Sequence, residues 1–143
     1  MANTTKFLEK ELLKYGLGLT TTWTKPTYTY AALFTTAPNA DYLSSSTTGL
    51  EVSATNYTRQ QITWGTPVVN NDLTNSSKVT NSADLVWTAD ANWGTVKAIG
   101  VFNTQTKSTG DLLWFGNLSA DTNLTVSGNK LTVLVGGLTV TLA

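Results

Sequence analysis

The pattern of apolar and polar positions begins with a single helical stretch. Apolar side chains recur there at helical spacing, at Leu8, Leu12, Tyr15 and Leu19. This spacing predicts a helix over residues 4–15, with the hydroxyl of Thr4 or Thr5 capping its first turn. Gly16 is predicted to end the helix, because glycine readily adopts the left-handed conformation at a helix C-terminus.

The apolar stripe of this helix has to be buried somewhere, since so short a helix is marginal in water. One interpretation docks the helix on the sheet of its own chain. The other makes it an arm that binds a neighbouring subunit, through Phe7, Leu8, Leu12 and Tyr15. The corresponding domain prediction is a helical arm over residues 1–20 and a β-domain over residues 21–143.

After Pro26 the pattern changes to short strands separated by turn signals. Strands are predicted at residues 28–36, 51–52, 59–64, 68–69, 83–88, 95–102, 112–118, 124–126, 130–135 and 138–142. Loops rich in Asn, Ser and Thr are predicted at 39–49, 70–72 and 75–77, and Gly136-Gly137 as a tight hairpin turn. The order indicates a mainly β protein, an antiparallel β-sandwich (jelly-roll-like or related) with one N-terminal α-helix.

Composition then narrows the possible chemistry. The chain of 143 residues has no cysteine and no histidine, which excludes disulfides and the metal or nucleophile sites built on those residues. Nine acidic side chains leave open a hydrolase with two catalytic carboxylates, but most stand in turn-like sequence, where Asp bonds nearby backbone. We therefore expect no enzyme activity, no cofactor and no metal site.

The charge of the chain and the length of its apolar runs indicate which partners and which cellular compartment to expect. The nine basic and nine acidic residues cancel, which argues against nucleic acid, because that binding needs clustered Lys and Arg. No apolar run is long enough to span a bilayer, and charges interrupt the first twenty residues where a secretory signal would be apolar. The polarity comes from neutral side chains, with 28 Thr among them, which is typical of a β surface that packs against other protein or of one that is simply solvated.

Five tryptophans raise the possibility of a carbohydrate-binding module, since indole rings stack on sugars. Trp64, Trp87 and Trp114 lie in strand patterns and are predicted to pack in the core. Trp93 precedes a strand at a turn, where the indole is predicted to cover the end of the sandwich rather than to stack on a ligand.

The order of the segments carries more information than any one motif. Similar segments occur in order at residues 7–13, 31–38, 51–52, 57–64, 81–84, 93–102, 110–118 and 137–142. In these segments the chain resembles small tailed-phage virion structural proteins, a family often described as tail-fibre-like. The resemblance implies a phage particle, a β-rich fold and no catalytic residues.

The sequence also leads to an expectation about where on the phage particle the protein is located. The chain has neither heptads nor a shaft repeat, so a capsid decoration or cement protein that stabilises the shell is favoured over a tail-fibre or tail-tip component that contacts the host. The expected partners are the major capsid protein or another virion protein, and further copies of the chain, with a trimer as the predicted oligomer. The predicted location is the outer surface of the capsid or tail, after synthesis in the host cytoplasm.

Overall fold

The computed structural model describes residues 3–39, 50–69 and 77–142. Within these ranges the chain forms one helix and ten strands. They are β1 (Asn3–Thr4), α1 (Lys6–Gly16), β2 (Thr29–Phe34), β3 (Gln60–Ile62), β4 (Val68–Val69), β5 (Ser77–Thr80), β6 (Leu85–Thr88), β7 (Thr95–Phe102), β8 (Leu112–Asn123), β9 (Lys130–Val133) and β10 (Thr139–Leu142).

The strands are arranged in three antiparallel sheets. The largest has the order β1-β8-β7-β2-β3, a second has the order β10-β5-β4, and β6 pairs with β9 in a ribbon. The predicted class, mainly β with antiparallel sheets and one N-terminal helix, is confirmed.

The main core lies between the five-stranded sheet and the β6–β9 ribbon, as in a sandwich. It joins Leu33 and Val101 of the sheet to Trp87 and Leu131 of the ribbon. A second buried cluster, which includes Phe34 and Phe102, lies on the other face of β2 and β7. Because successive side chains of a strand point to opposite faces, β2 and β7 supply both clusters.

Both ends of α1 follow local rules. Thr5 is the cap, and its hydroxyl accepts the Leu8 N–H at 3.4 Å. The prediction that Gly16 would be the left-handed stop is wrong, because Gly16 is the last helical residue and Gly18 has φ +66°. The N–H groups of Gly18 and Leu19 bond back to carbonyls of the last turn at 3.3 and 2.9 Å, as in a Schellman motif.

Strand boundaries differ from prediction where a tertiary partner decides them. The predicted strand at 112–118 continues to Asn123 as β8, because β7 pairs with both of its halves, and the separate strand predicted at 124–126 is wrong, since those residues follow the end of β8. Val96 lies opposite Thr122 and Ala98 opposite Asn117, so the additional residues of β8 are accommodated by an irregularity within one ladder.

The segment around β5 also differs from prediction. Ser77, predicted in a loop, begins β5, the central strand of the three-stranded sheet. Glu51, predicted in a strand, makes only an isolated bridge to Phe34. The remaining predicted loop residues, at 40–49, 70–72 and 75–76, lie outside the described residues.

The predicted hairpin at Gly136-Gly137 is wrong, since β9 pairs with β6 and β10 pairs with β5. A turn is present, with Gly136 at φ +77° and the Gly137 N–H bonded to Leu134 O at 2.8 Å. The buried Asn81 binds both sides of it. Its amide donates to Leu134 O at 3.0 Å, and its Oδ1 accepts the Leu138 N–H at 2.8 Å. The turn thereby carries the chain from the ribbon into the three-stranded sheet.

Candidate interaction site at the helix–sheet junction

The N-terminal segment is attached to one strand of the large sheet. β1 pairs with β8, and the next residue, Thr5, donates its N–H to Leu113 O at 3.0 Å and its hydroxyl to Leu112 O at 2.7 Å. Thr5 is fully buried, and so is Leu8 one helical turn later. These contacts fix α1 across β8 with one side of the helix facing the sheets.

An apolar groove, here called the aromatic groove, lies between α1, β8 and the three-stranded sheet. Its volume is about 610 Å³. It is lined by Leu8, Leu12, Tyr15, Trp23, Lys25, Pro26, Thr29, Trp64, Gly65, Pro67, Val79, Leu113, Trp114 and Val140. Only Lys25 among these side chains carries a charge, so the groove offers little that would hydrogen-bond a sugar and much that would pack against apolar groups.

Three indoles of the groove differ in their hydrogen bonding. Trp64 Nε1 donates to Thr29 Oγ1 at 2.8 Å. The Nε1 atoms of Trp23 and Trp114 are buried and have no acceptor among the described residues. A buried donor without a partner costs roughly 1–3 kcal/mol, so the site contains two polar groups that the described part of the chain leaves unsatisfied.

Trp23 is held in place by aromatic contacts from the helix. The rings of Phe7 and Tyr15 meet the Trp23 ring edge-on, with centroids 6.2 and 6.0 Å away. The Tyr15 hydroxyl also donates to Trp23 O at 3.1 Å. The segment that follows the helix is therefore folded back against it and forms one wall of the groove.

The four residues predicted to contact a partner lie in or beside this groove. Leu12 and Tyr15 line it and are 39% and 51% exposed. Leu8 lines it too but is only 1% exposed, and Phe7 is half-buried next to Trp23. Contact with a partner stays a prediction, and the surface available for it is the Leu12–Tyr15 side of the stripe.

Sequence reasoning placed Trp64 and Trp114 in the core and assigned Trp23 no role. Trp64 and Trp114 do pack against the main core, but both also line the groove. Strand periodicity cannot reveal this second contact, because the groove forms only where separate sheets and the helix meet. An unassigned tryptophan soon after an amphipathic helix was the one available signal for Trp23.

A polar network secures the far side of α1. The Glu11 side chain is buried and accepts hydrogen bonds from the Thr21 hydroxyl and from Lys14 Nζ, the latter at 3.1 Å. Lys10 Nζ lies 3.4 Å from the same carboxylate. The Thr21 hydrogen bond, followed by those of the two lysines, lowers the pKa of Glu11 below its usual value although burial opposes the shift.

A second polar cluster, here called the Arg59 clamp, is built around the buried side chains of Arg59 and Glu51. The Arg59 guanidinium forms a bidentate pair with Glu51, with Nε–Oε1 at 2.8 Å and Nη2–Oε2 at 2.7 Å. Its Nη1 donates to the carbonyls of Thr104 and Thr109 at 2.9 and 3.0 Å. The guanidinium carbon also lies 3.6 Å from the centre of the Phe102 ring, a cation–π contact. The clamp therefore ties the β7–β8 loop to Glu51.

Tyr57 completes the clamp from the other side. Its hydroxyl accepts the Leu33 N–H at 2.8 Å and donates to Glu51 Oε1 at 3.1 Å. Burial raises the pKa of Tyr57, and the Glu51 charge raises it further, so the phenol keeps the proton that it donates. Glu51 is thus engaged on both oxygens by structural partners.

Trp93 and Asp90 are also engaged in structural hydrogen bonds. Trp93 is buried in the main core and donates Nε1–H to Asp90 at 2.9 Å, so its ring is not free to stack on a sugar. The pKa of Asp90 is lowered by hydrogen bonds from Asn56 and then Trp93. In the described ranges no three acidic side chains form a metal-binding group, and no helix has the length and apolarity to cross a membrane.

A β-rich domain whose buried Arg59 and Glu51 pair with each other, and whose open site is apolar, has the features of a structural protein that binds other proteins. The sequence model of one family, described as "Podophage GP4 fiber I protein gp80", matches residues 3–141. The chain belongs to this family. A comparison with curated proteins gave no match.

Family membership confirms the prediction that the chain is a structural protein of a tailed-phage virion. It implies a location in the virion and association with other virion proteins. The family's structural role also favours a non-enzymatic function.

Proposed function

We propose that the chain is a component of a tail fibre of a podophage and that it attaches to a neighbouring virion protein through the aromatic groove. The observation that carries the proposal is the groove itself, an open apolar site lined by two tryptophans whose buried indole donors have no acceptor among the described residues, in a chain of a fibre family. Contiguous exposed apolar surface is uncommon on isolated proteins and commonly marks an interaction site.

The side chains that line the groove indicate what kind of surface a binding partner needs. Leu12, Tyr15 and Pro67 offer apolar contacts, and Lys25 is the only charged side chain among the described residues of the wall. An apolar segment of another virion protein would remove this surface from water, which contributes about 25 cal/mol for each Å² of apolar area buried. A free carbohydrate has too few polar partners in this wall to be held specifically.

Capsid decoration is the second candidate, favoured by the absence of a heptad or shaft repeat in the sequence. Both candidates use the same groove and differ in the protein bound and in copy number.

Quantitative mass spectrometry of purified virions separates the two candidates. A fibre component is expected at a few copies per tail, located there by antibody labelling, whereas hundreds of copies spread over the shell would replace the fibre proposal with decoration.

Two adjacent leucines of α1 provide a matched test of the groove. Leu12 lines the groove, whereas Leu13 is 64% exposed and does not. Virions produced with Leu12→Lys are expected to lose the protein, and virions with Leu13→Lys to retain it. Equal incorporation of both variants would show that the aromatic groove is not the attachment surface.

A further inference from the structure

The side chains that line the aromatic groove supply hydrogen-bond donors but few acceptors. Trp23, Trp114 and Lys25 can only donate, since neither an indole nitrogen nor an ammonium group has a free lone pair. The hydroxyls among the described lining side chains already have partners, because that of Tyr15 donates to Trp23 O and that of Thr29 accepts from a third indole. An occupant that fits the groove therefore brings hydrogen-bond acceptors and few donors of its own.

Two of these donors lack an acceptor in the part of the chain that the structure describes. Trp23 and Trp114 are half-buried side chains in the groove wall, and their Nε1 atoms are buried without a partner there. A buried N–H without an acceptor is unfavourable, so an occupant gains affinity from each such donor that it satisfies. Because the two donors come from separate segments of the chain, they indicate that acceptors recur along the occupant.

The shape and composition of the wall point to the same kind of ligand. Aromatic rings and prolines supply six of the lining residues, which are Tyr15, Trp23, Trp64, Trp114, Pro26 and Pro67. Grooves lined by aromatic side chains are the surfaces on which proline-rich segments dock in the polyproline II conformation. This conformation is extended and has no internal hydrogen bonds, so its carbonyl oxygens are free to accept. Proline also lacks an N–H, so it brings no donor that the wall would leave unpaired.

We propose that the aromatic groove holds a proline-rich segment of the neighbouring virion protein in the polyproline II conformation, with Trp23 and Trp114 donating their indole N–H groups to its backbone carbonyls. A small rotation of each half-buried ring on binding brings its N–H to the acceptor. This inference rests on the proposed attachment through the groove and specifies what occupies it.

Other peptide conformations match these donors less well. In an α-helix the backbone carbonyls are bonded within the helix, so only its last turn offers free acceptors. A β-strand has free carbonyls along its edge, but they alternate with N–H groups for which the lining side chains supply few acceptors. A proline-rich segment combines recurring acceptors with missing donors, which is the pattern that the wall requires.

A panel of capped, uncharged peptides of about ten residues, or about 30 Å in this conformation, provides the probes. Each peptide has proline at alternate positions with different apolar residues between, and each has a twin in which alanine replaces every proline. Calorimetric titration of the full chain is expected to show at least about tenfold tighter binding of the best proline peptide than of its twin. Equal binding of both, or no binding of any peptide up to its solubility limit, would overturn the proposal.

The indole N–H resonances of the isotope-labelled chain show which donors the peptide reaches. Those of Trp23 and Trp114 are expected to move downfield when the best proline peptide is added, because each N–H gains an acceptor. Those of Trp87 and Trp93 should stay, since both already have acceptors and neither lines the groove. Unmoved Trp23 and Trp114 resonances at saturating peptide would overturn the assigned hydrogen bonds.

Trp23→Phe removes one donor but keeps an aromatic ring in the wall. Loss of this N–H should weaken binding of the proline peptide by at least about threefold. Tyr28→Phe is the matched control, because Tyr28 is exposed and does not line the groove. Circular dichroism checks that both variants fold, and equal affinities of the two would contradict the Trp23 contact. If Trp23→Phe does not fold, the NMR titration of the unchanged chain decides the question.

This inference and the proposed function fail in different measurements. If Leu12→Lys removes the protein from virions but no proline peptide binds, the groove remains the attachment surface and its occupant is not proline-rich. If Leu12→Lys is incorporated normally while the chain prefers the proline peptides, attachment through the groove is wrong and only the ligand class stands.

Discussion

The Arg59 clamp and the aromatic groove differ in whether their buried polar groups have hydrogen-bond partners. In the clamp every guanidinium nitrogen has an acceptor, and both oxygens of Glu51 have donors. In the groove, two indole N–H groups are buried without an acceptor in the described part of the chain, beside exposed Leu12 and Tyr15. The clamp is complete within one chain, whereas the groove has the composition of half an interface. Changes in the clamp should therefore affect folding, and changes in the groove should affect assembly.

The largest expected effect comes from opening the clamp. Arg59→Met would leave the Glu51 carboxylate buried without its bidentate partner, which is expected to lower the free energy of unfolding by about 3–5 kcal/mol. Urea denaturation measures the loss. Arg59→Lys should recover only part of it, since an ammonium group lacks the planar fork that binds both oxygens. A loss below about 1 kcal/mol for Arg59→Met would contradict the structural role of the clamp.

A smaller loss is expected from Tyr57→Phe, which keeps the ring but removes the hydroxyl. The Leu33 N–H would lose its acceptor inside the core, which costs about 1–3 kcal/mol in urea denaturation. Tyr28→Phe is the matched control, because Tyr28 is 55% exposed and its change should stay within about 0.5 kcal/mol. Equal effects of the two variants would mean that the Tyr57 hydrogen bonds contribute nothing.

Acid should weaken the attachment of α1 through Glu11. Since the folded-state pKa of this carboxyl is lowered, its stabilising contribution is complete above the ordinary value of 4.5 and is lost as the pH falls through the folded-state value. Urea denaturation between neutral pH and pH 3 should therefore show a steeper loss for the unchanged chain than for Glu11→Gln. Removing the largest cause with Thr21→Val should raise the pKa of Glu11, measured by NMR titration. An unchanged pKa in that variant would rule out the Thr21 hydrogen bond as the cause.

The smallest stability change is expected in the groove. Leu12→Lys and Leu13→Lys should each change the free energy of unfolding of the isolated chain by no more than about 0.5 kcal/mol, because both side chains are exposed. Only Leu12→Lys should reduce incorporation into virions. If Leu12→Lys unfolded the isolated chain, the groove would belong to the folding core and the contrast with the clamp would disappear.

Local pattern was a good guide where short-range interactions decide the structure. The strand over residues 95–102 matches β7, and Thr5 caps the helix as a hydroxyl residue at that position should. The same pattern was a poor guide to pairing. Gly136-Gly137 has the composition of a hairpin turn, but the side chain of Asn81, more than fifty residues earlier, redirects the chain into another sheet.

In the candidate site, too, the sequence predicted local features but not contacts between distant segments. Periodicity identified the helix stripe, and the structure puts Leu12 and Tyr15 on an open groove. It did not identify Trp23 or Trp114 as the opposite wall, nor Glu51 and Arg59 as a buried pair. Each of these contacts joins segments whose separation in sequence contains no information about their distance in space.

The sequence by itself determined that the protein is mainly β with one N-terminal amphipathic helix, that it lacks imidazole and thiol chemistry, and that it resembles tailed-phage virion proteins. These properties follow from composition, local periodicity and the order of segments. Only the tertiary structure decided which strands pair, which charges are buried together, and which apolar groups stay open to a partner. Those outcomes depend on contacts between distant segments, whose formation is a property of the whole packed chain.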